Sequence, residues 1–74
     1  MKVKDVVKLM HDQSVDLVTE YGDLLACVSV DIKGNIYSVE GYTYTEYELH
    51  ENDSISDIHV ACFYDDTIVI VVKS

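Results

Sequence analysis

The chain reads as an α+β domain: one N-terminal helix packed on a mostly antiparallel sheet of four to five strands. Three observations predict it. Val3, Val6, Val7 and Met10 fall at the i, i+3, i+4, i+7 spacing that lines one face of a helix. Downstream, runs that alternate apolar with polar residues are separated by Gly22-Asp23, Lys33-Gly34-Asn35 and Asp65-Asp66, the punctuation of hairpins. Residues 67–72 are apolar on both parities, as expected of an interior strand with neighbours on each side.

Taken in order, the helix is expected over residues 3–13. Asp5 lies in its first turn, where the positive end of the helix dipole favours a carboxylate, although Lys2 is a poor N-cap. Residues 15–21 read as a short strand, and residues 24–32 as its hairpin partner, with Val28, Val30 and Ile32 on one face and Ser29 and Asp31 on the other. Strand resumes at Ile36 and runs to Leu49, with Gly41 marking a bulge or bend. Residues 50–54 are turn-like. Residues 58–64 form a further strand, which Asp65-Asp66 joins to residues 67–72. A single helix covers one sheet face, so the other must stay polar, curl on itself or meet a second copy, which makes a homodimer an option. The C-terminal strand must be central or covered, because an open apolar edge invites aggregation.

At 74 residues the chain is a single domain spanning 1–74, too small to enclose a large pocket. Its 49% hydrophobic content argues for a folded chain, against a net charge of −9 that opposes compaction. That charge disfavours direct binding to nucleic acid or to anionic membranes, and the absence of arginine removes the side chain best suited to phosphate forks. Neither a signal peptide nor a spanning segment is expected: Lys8 interrupts the apolar start, and the longest apolar run is far below the ~20 residues of a membrane helix. Cys27 and Cys62 sit in strand-like contexts and read as two small buried hydrophobes rather than a disulfide.

The strongest functional signal is charge. Residues 40–66 carry Glu40, Glu46, Glu48, Glu51, Asp53, Asp57, Asp65 and Asp66 without a lysine or arginine, interleaved with Tyr42, Tyr44, Tyr47 and Tyr64. In an extended strand Tyr42, Tyr44, Glu46 and Glu48 would share a face, repeating every ~6.8 Å in the manner of a phosphate backbone. Carboxylates draw lysine and arginine, and tyrosine rings meet cations through their faces. The candidate partner contacts are therefore Glu40, Tyr42, Tyr44, Glu46, Tyr47, Glu48, Glu51, Asp53, Asp57, Asp65 and Asp66, and the partner is a basic, nucleic-acid-binding protein. The other reading of the same residues is a solvated face on a thin sheet.

Catalytic and metal chemistry find little purchase. Gly22, Gly34 and Gly41 are scattered, with no phosphate-cradling loop and no nucleophile motif. His59 and Cys62, three apart on a strand, point to opposite faces and do not converge on an ion. The expectation is a non-enzymatic chain without cofactor or metal.

The opening residues 1–10, a short strand at residues 16–18 and the closing hairpin of residues 58–72 together resemble the layout of small proteins of phages and mobile elements of low-GC Gram-positive bacteria. Members carry Thr or Ser at the second position as the helix cap, and Lys2 departs from that pattern. Proteins of this kind include anti-CRISPR inhibitors, some of which present themselves to their target as nucleic acid. The resemblance implies an acidic inhibitor, acting in the cytoplasm of a bacterial host, that fills the DNA groove of a CRISPR effector. The alternative is a self-associating phage structural or assembly protein.

Overall fold

The computed structural model describes residues 1–39, 41–61 and 67–73. Among these, α1 (Val3–Val7), β1 (Gln13–Thr19), β2 (Leu24–Val30), β3 (Ile36–Ser38), α2 (Tyr44–His50), β4 (Ile55–Val60) and β5 (Thr67–Val72) follow in order. The five strands form one sheet ordered β3-β2-β1-β5-β4. β2 pairs antiparallel with β1 and with β3, and β4 antiparallel with β5. β1 and β5 run parallel in register from Ser14 opposite Thr67 to Thr19 opposite Val72, so the sheet is mixed. β5 has a neighbour on both sides, which meets the expectation drawn from its apolar sequence.

The alternation read from β1 and β2 holds as far as Val30, where β2 ends; Ile32, expected on the same face, is 77% exposed. Val15, Leu17, Ala26, Val28, Val30, Ile70 and Val72 share one face and are at most 5% exposed. Val3 and Val7 of α1 and Tyr47 of α2 close the core above them. Both helices lie on this side. The opposite face carries Asp16, Val18, Cys27, Ser29, Val69 and Val71, all half-buried.

Two expectations are corrected. The first helix spans five residues rather than 3–13. Beyond Lys8 the backbone tightens, with Leu9 N–H donating to Val6 O and Met10 N–H to Val7 O, and Asp12 takes a left-handed φ of 53° that turns the chain into β1. The helical spacing reaches Met10, but the chain has to reverse before Gln13 to supply the central strand. The second correction concerns residues 36–49. The strand stops at Ser38, and after Gly41, whose φ of 90° suits glycine alone, the chain forms α2.

The short α1 is held from outside itself. The first N–H groups of a helix have no partner within it, and here Val3 N–H donates to Asp53 O at 3.0 Å and Lys4 N–H to Glu51 O at 2.8 Å. Ile55 N–H donates to Met1 O at 3.0 Å, and Lys2 bridges Ser54. Lys2 does occupy the N-cap position and lacks a capping side chain. Its backbone N–H is instead taken by the Asp5 carboxylate at 3.2 Å. Residues 1–4 are thereby stitched to the segment that joins α2 to β4.

Candidate functional site

α2 exists because of a capping box. Thr43 Oγ1 accepts the N–H of Glu46 at 3.4 Å, and Glu46 Oε2 accepts the N–H of Thr43 at 2.9 Å, so two otherwise orphaned donors are satisfied reciprocally. The pattern Thr43-x-x-Glu46 is the sequence signal that the strand reading passed over. A periodicity of 3.6 then replaces one of two. Glu46 and Glu48 no longer share a face, and Tyr44, Tyr47 and Glu51 come onto neighbouring positions.

Tyr47 turns into the core at 1% exposure, its ring 5.7 Å from that of Tyr44, tilted by 39°. Burial pushes its phenol up to about 12, with the charge of Glu51 and then Tyr44 adding to the shift. Tyr47 therefore positions α2 on the sheet and has no surface to offer a partner. Leu49, the end of the expected strand, is 72% exposed. Tyr44 is 42% exposed, Tyr42 is half-buried and Glu48 is exposed.

The structure distributes the acidic residues over three places. Tyr44, Glu48 and Glu51 sit at i, i+4 and i+7 along α2, so neighbouring side chains on this stripe start about 5–6 Å apart. Asp53 follows past the helix end, its Oδ2 2.8 Å from Nδ1 of His50. Asp57 stands apart on β4, where its Oδ1 accepts the N–H of Ile58 at 2.9 Å and its Oδ2 lies 3.8 Å from Nδ1 of His59. Glu40, Asp65 and Asp66 lie outside the described residues. The lysine–carboxylate contact within 4 Å found among the described residues is Lys8 to Asp5, at 3.9 Å and exposed, a pair of the kind that contributes about 0.3–0.5 kcal/mol. No lysine neutralises Glu48 or Glu51 at that distance. The basic start and the acidic remainder, separate in sequence, are nevertheless joined in space, because residues 2–4 hydrogen-bond to residues 51–54.

Other chemistry is sparse among the described residues. No group of three or more His, Cys, Asp or Glu is placed to hold a metal ion, and no helix is long and apolar enough to cross a membrane. A shallow polar depression is lined by Asp12, Gln13, Ser14 and Ser29. Cys27 is a free thiol, half-buried on the uncovered sheet face opposite Asp16; Cys62 lies outside the described residues. Burial first, and then the hydrogen bond and charge of Asp16, push the Cys27 thiol up to about 12, which suppresses the reactive thiolate. In a Cys62→Ser variant, alkylation by iodoacetamide at pH 8 is therefore expected to run roughly a hundredfold slower on the folded chain than in urea. Equal rates in the two states would contradict the burial.

No family model matches this chain, and neither a curated protein nor a solved structure is similar enough to it to be matched.

Proposed function

We propose that this chain is a small, non-enzymatic inhibitor that sets carboxylates in the place of nucleic-acid phosphates and binds a basic, nucleic-acid-handling protein. The resemblance in layout to mobile-element proteins points to a CRISPR effector as the class of target. The observation that carries the reading is the α2 stripe: an exposed tyrosine ring at Tyr44, then Glu48 and Glu51 a turn apart, with no lysine ammonium within 4 Å of either carboxylate. A lysine- or arginine-lined groove would meet this stripe through charge and through contact with the ring face. The net charge of −9 supplies the long-range attraction. Occupation of such a groove excludes DNA by competition.

The test is a tagged pull-down from lysates containing a panel of CRISPR effectors and other nucleic-acid enzymes, washed at low and then high salt and read by mass spectrometry. Recovery of one basic nucleic-acid-binding protein, released by added DNA or by salt, is the expected result. Recovery of only the chain itself, or of virion components, would overturn the inhibitor reading in favour of an assembly role.

A further inference from the structure

β4 is an edge strand whose outer side is partly closed. Residues 1–3 occupy the edge at residues 53–55, through Val3 N–H to Asp53 O, Ile55 N–H to Met1 O and the Lys2–Ser54 bridge. Beyond Ser56 no described element pairs with it. Ala61 N–H donates inward to Thr67 O, and backbone direction alternates along a strand. Asp57 and His59 therefore direct their backbone groups to β5, while Ile58 and Val60 direct theirs outward. Consistent with this, Ile58 N–H is met by the carboxylate of Asp57 at 2.9 Å instead of by a strand. Ile58 and Val60 also expose 41% and 56% of their surface.

We infer that the free edge of β4 is a self-pairing surface, in which Ile58 of one copy lies on a two-fold axis opposite Ile58 of a second, antiparallel copy. Three features select this partner and register. The outward N–H and C=O of Ile58 form the hydrogen-bonded pair that a two-fold at this residue requires. The same register sets Asp57 directly opposite His59 of the second copy, twice over. These are non-hydrogen-bonded positions, where side chains come closest, and a carboxylate facing an imidazole can accept its ring N–H there. Registers centred one residue away fail this condition: centring on residue 57 opposes Asp57 to its own image, and centring on residue 59 opposes His59 to its own image. Ile58 meets its counterpart on the helix-bearing face, since Ile58 is paired with Ile70 in β5.

In the single chain Asp57 Oδ1 covers the edge donor and Oδ2 lies 3.8 Å from Nδ1 of its own His59, so pairing exchanges one hydrogen bond for another and turns Asp57 from the His59 of its own chain to that of the second copy. The ladder is short, because the register of β4 shifts between Ile55 and Asp57. The dimer is accordingly a weak one, joining two five-stranded sheets into one of ten. None of the pairing residues lies on α2, so the inference stands or falls separately from the inhibitor reading.

Sedimentation equilibrium of the full chain at chain concentrations from about 10 µM to 1 mM, at moderate and high salt, tests it. The expected result is a reversible monomer–dimer equilibrium with a midpoint on the order of 100 µM, strengthened by salt that screens the net negative charge. His59→Asp opposes carboxylates across the ladder and is expected to weaken the dimer roughly tenfold or more. The combined Asp57→His and His59→Asp variant restores the carboxylate–imidazole pairing only in this register, and is expected to return the affinity to within about threefold of the parent. A strict monomer at 1 mM would overturn the proposal. A dimer indifferent to His59→Asp, or one that the swapped pair does not rescue while circular dichroism shows the fold intact, would overturn it equally.

Discussion

Replacing Tyr47 with alanine is expected to destabilise the fold by about 3–5 kcal/mol, the range for removing a large buried aromatic side chain. Tyr47 is among the largest fully buried side chains and is the core residue that α2 contributes. Its removal leaves a cavity over β2 and frees a seven-residue helix that has no stability alone. Marginal domains have about 5–15 kcal/mol in total, and a chain of this size belongs near the lower end. The thermal midpoint followed by circular dichroism should therefore fall by on the order of 20 °C, or the transition should vanish. Tyr44→Ala, at a half-exposed position, is the contrast, with an expected loss of about 1 kcal/mol or less. A Tyr47→Ala protein that melts with the parent would show that α2 is not anchored through this ring. Because the sequence pattern had offered Tyr47 as a partner contact, the comparison also separates loss of binding through unfolding from loss through a missing contact.

The second large effect is on binding. Glu48→Lys combined with Glu51→Lys moves the formal net charge of −9 to −5, since each reversal changes it by two. Against a basic groove this should weaken affinity by roughly a hundredfold or more and flatten the salt dependence, because two attractive charges become repulsive. Stability should change little, since Glu48 is exposed and Glu51 is held through its backbone carbonyl. Titration calorimetry against the protein recovered in the pull-down, at two salt concentrations, reads both quantities; unchanged affinity would remove α2 from the interface. Glu46 is unsuited to this test. Its carboxylate closes the capping box with Thr43, so reversing it would cost about 1 kcal/mol of helix stability and confuse the two effects.

The misreading of residues 42–49 has a physical origin. Tyr-Thr-Tyr-Thr-Glu-Tyr-Glu-Leu alternates aromatic or apolar with polar residues apart from one slip at Thr45-Glu46, and tyrosine and threonine both favour strands. What outweighs that preference is a capping box at Thr43 and Glu46 and the burial of one ring, Tyr47, in the core where α2 meets β2. The capping box was legible in the sequence, whereas that packing was not. Among the site residues, the exposure of Tyr44 and Glu48 agrees with the sequence reading; the inward turn of Tyr47 and the detachment of Asp57 onto β4 follow from packing.

The α+β class, the apolar face of β1 and β2, the bounds of β5 at residues 67–72 and an acidic segment free of lysine are legible in the residues alone, because each is a matter of local alternation or plain charge. Long-range packing is what sets β5 parallel to β1, lends the donors of residues 1–4 to the end of α2, and divides the acids of residues 46–57 between a helix and a strand edge. Those outcomes rest on contacts between segments some fifty residues apart, where the requirement to satisfy buried backbone groups and fill one core outweighs local preference.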